Sequence, residues 1–320
     1  MNHRRFRIRS RCAVICCGLS LFANMASADR LTATLLSDNT VLYELIVVRV
    51  DLHFDDAFLP PEAVNDAYEA NRQLGRLRRH LELELREPSG EKMSSALLIL
   101  EFPRPTEPAH VLTAPGVALL GRADPKTDEF HHWTRLGRFK LMVVDRENGL
   151  ESNEMSITIQ DVPQKELEAS RMFRQCGVDA LVPLVGEQLR QSKSIELFQR
   201  LVGEYPESLY GKYAMVSLAL IRWKETFAQH NNKGGAEVWG PVAADLAKAT
   251  AAFDGWHPLR GQALFELARA QALAGQFPEA LRTTQTLCTD FPDGQLGEKA
   301  RALLSELNRR NAEPAQDNNE

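Results

Sequence analysis

The residue types best suited to hold a metal ion in this chain are His131-His132, with Asp124, Asp128 and Glu129 close by. Imidazole and carboxylate are ordinary ligands of divalent metals. Neighbouring residues of an extended segment point to opposite sides, however, so one ion cannot easily take both histidines. An exposed turn accounts for the cluster, and a metal-assisted hydrolase would also need His110 to converge on it. Asp51, Asp55 and Asp56 offer oxygen ligands without the loop spacing of a calcium site; Asp55-Asp56 reads as the start of a polar insert. Lys233-Gly234-Gly235 lacks the Gly-x4-Gly-Lys-Ser/Thr frame of a phosphate loop. No Gly-x-Ser-x-Gly or His-Glu-x2-His motif occurs. The sequence therefore assigns no catalytic residue, no metal and no cofactor, and the expectation is a protein that is not an enzyme.

Binding chemistry is better represented. Tyr205, Tyr210, Tyr213 and Trp223, with Trp239 and Trp256, concentrate in one stretch of the second half. Two readings apply. Aromatics at helical stripe positions pack helix against helix, whereas a subset on an open face would make a hot spot for a partner protein. Tyr210, Trp223 and Trp239 are the candidates for partner contact, because Tyr210 lies near a helix start and Trp239 borders an insertion. Arg222, Lys224 and Lys233 would then supply a charged rim, although a solvated helix face explains each cation taken singly.

The elements that must position these residues are helices. From Gln164 onward apolar residues recur at helical spacing, and Tyr205-Pro206, His257-Pro258 and Phe291-Pro292 punctuate the pattern. The last two prolines are 34 residues apart; the first interval, 52, is one such unit plus an 18-residue insertion beginning at Asn231-Asn232-Lys233-Gly234-Gly235. Residues 259–292 form the clearest unit. Leu264, Leu267, Ala268 and Leu273 share one helical face, Gly275 ends that helix, and Ala280, Leu281, Leu287 and Phe291 stripe a second. Leu264, Leu267-Ala268, Gly275, Phe277, Ala280 and Pro292 resemble the tetratricopeptide repeat pattern, with Thr284 in place of the usual aromatic. That resemblance implies a stack of helix pairs that binds other proteins in a groove. Two less regular units precede it: Ile195, Phe198, Leu201 and Tyr205 stripe one helix, and Tyr213, Val216, Leu220 and Trp223 another. The first unit's opening helix, within 166–190, carries Gly177, Pro183 and Gly186, all poor helix formers. A capping helix over 295–309 places Leu296, Ala300, Leu303, Leu304 and Leu307 inward.

Residues 31–161 alternate at period two. Val48, Val50, Leu52 and Phe54 share one face, and Leu81, Leu83 and Leu85 alternate with Glu82, Glu84 and Arg86 as a half-exposed strand. Residues 96–102 read as one strand buried on both faces, 139–143 and 155–159 as two more, and 55–78 as an insert with a short helix. Asp38-Asn39, Ser89-Gly90, Ala114-Pro115-Gly116 and Asn148-Gly149 read as turns. The pattern predicts an antiparallel sandwich. The stretch Gly137-Arg138-Phe139-Lys140-Leu141, followed by Ser152-Asn153-Glu154-Met155, resembles the last two strands of immunoglobulin-like modules in exported bacterial proteins. The absence of a Cys…Trp…Cys core argues against an antibody-type domain.

At the N-terminus Arg4, Arg5, Arg7, Arg9 and Arg11 precede an apolar run, 13–23, that is too short to span a bilayer. Ala26-Ser27-Ala28 then supplies a signal-peptidase site. The expectation is a signal peptide (1–28) cleaved after Ala28 and a periplasmic or secreted protein. Arg4-Arg5 leaves the twin-arginine route open, and Ile15 before Cys16 argues against lipid attachment. Beyond the leader, 33 basic residues face 43 acidic ones, a net charge of −10, which disfavours nucleic acid and anionic lipid as partners. Cys176 and Cys288 are the only remaining cysteines, so no disulfide framework exists and two spectator thiols are expected. No later apolar run is long enough for a membrane helix. The domain reading is an immunoglobulin-like β-sandwich over 29–161, a tetratricopeptide-like solenoid over 164–310 and a disordered tail over 311–320. Tyr205-Pro206-Glu207-Ser208 and Phe291-Pro292-Asp293-Gly294 resemble inter-repeat turns of cell-envelope assembly proteins. They imply an exported adaptor that binds envelope proteins. A cell-wall glycan module, with a merely structural stack, is the alternative.

Overall fold

The computed structural model describes residues 28–55, 80–99, 110–123, 130–176, 192–254, 257–292 and 294–312. The leader before Ala28, the insert past Asp55, the opening helix of the first unit past Cys176, Trp256 and the tail past Ala312 lie outside the described residues, as do Asp56, Asp124, Asp128 and Glu129; residues 311 and 312, read as tail, are helical.

Among the described residues twelve strands come first: β1 (Arg30–Leu35), β2 (Asn39–Val41), β3 (Leu45–His53), β4 (Leu81–Arg86), β5 (Lys92–Ala96), β6 (Leu98–Ile99), β7 (Val111–Leu119), β8 (Gly121–Ala123), β9 (Phe130–His132), β10 (Gly137–Asp145), β11 (Leu150–Glu151) and β12 (Met155–Gln160). One sheet runs β1-β3-β7-β6. The other runs β2-β12-β10-β4-β5, with β11 on β10, and a small β8-β9 ribbon stands apart. Pairing is antiparallel except between β2 and β12, which run parallel. The alternation explains the burial: Val48, Val50 and Leu52 of one sheet and Leu83, Leu85, Leu141, Val143 and Ile157 of the other share one core.

Two sequence expectations fail here. The apolar run 96–102 is not a single strand. Ala96 pairs with Glu82 in one sheet and Leu98 with Val117 in the other, so the chain changes sheets at the buried Leu97. Ala114-Pro115-Gly116 is not a turn but the middle of β7, in register with β3. Pro115 lies one residue past the last described pair with β6, Ile99↔Gly116, so that ladder loses no donor there. Gly116 fits because any Cβ would press on Leu97 and Ile99, 3.0–3.1 Å away. Glu84 also departs from expectation. It is buried on the outer side of β4, beneath Arg86 (2.6 Å), Lys92 (3.1 Å) and Arg146 (3.4 Å). Burial alone would raise its carboxyl, but hydrogen bonds from Arg86 and Lys92 hold it below the ordinary value.

A 3-10 turn (Gln164–Glu166) opens the helical half, followed by α1 (Leu167–Arg174), α2 (Ser192–Glu204), α3 (Leu209–His230), α4 (Gly235–Ala251), α5 (Pro258–Leu273), α6 (Phe277–Asp290) and α7 (Gly294–Ala312). The expected insertion loop shrinks to the turn at 231–234. The extra residues lengthen α3 to 22 residues and α4 to 17 instead. Trp239 explains the difference: its ring packs on Trp223 at 5.0 Å, and its Nε1 donates to the Lys233 carbonyl at 2.8 Å, which seals the turn. Gly275, at φ +78°, ends α5 in the left-handed conformation glycine favours. Thr284 is fully buried and bonds the Ala280 carbonyl at 2.7 Å, so a hydroxyl fits where the repeat pattern has an aromatic.

The aromatic–proline turns share a device that the periodicity did not disclose. Six residues after Tyr205 and Phe291 stand Gly211 and Gly297, and six after His257 stands Ala263, all buried. At Gly211 a Cβ would overlap the Tyr205 carbonyl oxygen, and at Gly297 it would lie 2.5 Å from the Pro292 oxygen. At the Tyr205 and Phe291 turns the chain thus folds back over the first coil of the next helix, which must be bare there, whereas the His257 turn accepts the methyl of Ala263. Ser208 caps α3 by accepting the Gly211 N–H at 2.9 Å, and His257 Nδ1 caps α5 through the Leu259 N–H at 3.2 Å. Gly211→Ala is expected to cost about 3 kcal/mol, because the clash is with backbone that cannot move aside; urea denaturation of the full chain measures it.

Candidate functional site

The helices are arranged so that the first members of successive pairs, α3, α5 and α7, touch one another, and each second helix packs against the first helix that follows it. First helices therefore form the inner, more closely spaced face of the stack. Its centre is a polar cluster. Glu266 of α5 is 7% exposed. It accepts a hydrogen bond from Gln262 at 3.2 Å and pairs with Arg269 at 2.9 Å. Lys224 of α3 and Lys299 of α7 act electrostatically on the same carboxylate. Arg269 in turn lies 4.9 Å over Trp223, 5.4 Å over Phe227 and 5.7 Å over Phe265. Burial raises the Glu266 carboxyl above its ordinary value in spite of these cations, and burial lowers the Lys224 ammonium in spite of Glu266.

The aromatic candidates sit elsewhere from where a partner could reach them. Tyr210, Trp223 and Trp239 are buried, at 0%, 4% and 0% exposure. Trp223 and Trp239 fill the space between α3 and α4, since two facing indoles bury more apolar area than either could against water. Arg222 and Lys224 do not form one rim. Arg222 is exposed and pairs with Asp245 of α4. It borders an outer groove of about 420 Å3, lined by Ile195, Val202, Met215, Leu218 and Ile221. Lys224, two residues on, turns to the inner face. Lys233 is exposed in the α3–α4 turn, apart from both. Gln262, Glu266, Arg269 and Lys299 were not singled out from the sequence. The signal that would have found them is the helical spacing of Gln262, Glu266 and Arg269, which puts three polar residues on one side of an otherwise apolar repeat.

Tyr210 has a structural task of its own. Its hydroxyl donates to the Leu42 carbonyl of the strand half at 2.6 Å, and its ring lies 5.4 Å from Phe173. Tyr213 stacks on Phe253 at 5.4 Å, and Phe253 on His257 at 4.3 Å. Close by, Arg174 lies 4.6 Å over Tyr43, and His132 Nε2 sits 3.1 Å from the Arg174 carbonyl. The Glu166 carboxylate accepts the Leu209 N–H at 3.3 Å. Strand and helix halves therefore belong to one continuous core. Burial drives the Tyr210 and Tyr213 hydroxyls well above the ordinary phenol value, which keeps Tyr210 protonated as the donor to Leu42. Tyr210→Phe would leave the Leu42 carbonyl without its donor, at an expected cost of about 2 kcal/mol. Hydrogen exchange should then quicken over 39–45, and unchanged protection there would show that this bond does not hold the joint.

His131 is exposed in the middle of β9, and His132 Nε2 lies 3.1 Å from the Arg174 carbonyl at the joint. Cys176 ends α1 in the core, Cys288 is half-buried on α6, and no bond joins them.

Residues 262–294, covering most of α5 and all of α6, match the tetratricopeptide repeat family model. No curated protein matches the chain. The helical half thus carries a tetratricopeptide-like element, of a class that serves protein–protein interaction. Among the described residues no helix is long and apolar enough to cross a membrane.

Proposed function

We propose that this chain is an exported, non-enzymatic adaptor whose helical stack grips a protein partner of the cell envelope. The observation that carries the reading is the tetratricopeptide match at 262–294, set in a stack whose first helices form a shared polar face. The strand order supports an immunoglobulin-like sandwich in the other half. β1-β3-β7-β6 facing β12-β10-β4-β5 follows the order of such domains. That half would orient the stack or dock it to a second protein. A glycan module would want an open aromatic platform on the sandwich. Trp133 instead lies edge-on to Phe139 at 5.5 Å, beneath Arg135.

The test is in-cell photo-crosslinking of the full chain, with the reactive side chain placed at Gln262 on the inner face or at Arg138 on the sandwich. Capture of the same one or two envelope proteins from Gln262 supports the adaptor. Capture of none, with cell-wall fragments retained instead, overturns it. Sequencing of the recovered protein from Asp29 checks export and cleavage after Ala28.

A further inference from the structure

The junction read between Ala28 and Asp29 is also where the strand half begins, with no spacer between the two. Ala28 is 3% exposed and belongs to the hydrophobic core. The nitrogen of the bond to be cut, that of Asp29, donates to the His53 carbonyl at 2.8 Å. The Asp29 carboxylate accepts the Asp55 N–H at 2.6 Å. β1 starts at the next residue and stays in register with β3 from Arg30↔His53 to Leu35↔Val48.

The strand is held along its outer edge as well. The Asn153 side chain accepts the Ala33 N–H and donates to the Ala33 carbonyl, both at 2.9 Å, as the backbone of a neighbouring strand would. Leu31 and Ala33 are buried. An N-terminal strand tied down on both sides does not fray as a free terminus does. A signal peptidase reads small side chains on an extended backbone. It therefore needs the Ala28 methyl and the scissile N–H, and the fold has taken up both.

We propose that the bond between Ala28 and Asp29 is a processing site of the unfolded chain alone, cut before β1 pairs and closed by folding. Hydrolysis breaks the bond from the Ala28 carbonyl carbon to the Asp29 nitrogen; water gives its hydroxyl to Ala28 and its proton to the new amine. That amine stays beside the His53 carbonyl and, once protonated, donates to it as an ammonium. The chain must then cross the membrane unfolded, by the general secretion route rather than the twin-arginine route, whose cargo is folded. The inference rests on the export reading and adds the order of its steps.

The full chain, leader included, is offered to an excess of purified signal peptidase in detergent, either folded or diluted from urea at the moment of mixing. A variant with a Gly/Ser spacer of about eight residues between Ala28 and Asp29, which lifts the junction clear of the sheet, is the comparison. The folded native chain should be cut about a hundredfold more slowly than the urea-diluted one, because cleavage waits on rare openings of β1. The folded spacer variant should be cut quickly. Equal rates for the folded chain with and without the spacer overturn the proposal. No cleavage in any form removes the export reading, and this inference with it. In cells, the Arg4→Lys/Arg5→Lys variant should be processed at an unchanged rate. Processing that stops in that variant would put a folded chain on the twin-arginine route, overturning the proposal while export stands.

Discussion

Trp239→Ala is expected to lower the stability of the chain by about 4 kcal/mol. The indole is fully buried and packs on Trp223, while its Nε1 ties down the Lys233 carbonyl at the α3–α4 turn. Pro241 sits two residues further on inside α4, where it removes one backbone donor, so the opening of this helix depends on tertiary packing. Alanine would leave a large void, an unsatisfied carbonyl and one bare face of Trp223. The loss should spread to the inner face as well, because Trp223 carries Arg269. Trp239→Phe refills part of the volume without the donor and should recover about half of the cost. Urea unfolding of the two variants decides the matter, and a loss below about 1 kcal/mol in the alanine variant would mean that the turn is held by other contacts.

Acid should loosen the joint between the strand and helix halves. His257 is stacked on Phe253, caps α5 through an unprotonated Nδ1, and borders a small cavity of about 130 Å3 shared with Thr40, Glu44 and Leu45. Protonation would place a charge in that setting, cancel the cap and oppose the positive end of the α5 dipole. Burial accordingly lowers its pKa from 6.5 to about 4. The folded value lies below the unfolded one, so the contribution is complete above about pH 6.5 and is lost as pH falls toward about 4. The full loss is at most about 3 kcal/mol. Burial also lowers His132, at the other contact of the joint, to about 4, and the sign is the same. Glu266, raised by burial, works in the opposite sense. The comparison is therefore with His257→Asn, which keeps a capping side chain but does not titrate. Melting temperatures of the two proteins should diverge at pH 7 and converge toward pH 4.5; parallel curves would acquit His257.

The sandwich core was legible because burial on one side of a strand writes itself at period two. Val48, Val50, Leu52 and Phe54 are all buried. Two local signals misled where neighbours overrode them. Pro115 and Gly116 read as a turn but lie in the middle of β7, in register with β3, where two large side chains, Leu97 and Ile99, crowd in on the glycine. The run from Ala96 reads as one strand because apolarity does not say which sheet receives each residue. In the helical half, repeat spacing disclosed the unit at 262–294, whereas Tyr210, Trp223 and Trp239, read as partner contacts, are buried. Trp and Tyr stand out in a sequence by size, and size is what draws them into the core. Glu266 and Arg269 are common residue types whose meaning arises only when α3 and α7 bring lysines beside them.

Only Asp161, Val162 and Pro163 separate the last strand from the helical half, and Val162 is itself buried. A tether so short has no slack. Two proteins held at once, one by each half, would stand at a separation and angle dictated by Tyr210, Phe173 and Arg174 rather than by the statistics of a flexible chain. The molecule would then work as a set-square, and lengthening the 161–163 connection would leave each grip intact while abolishing the alignment between them.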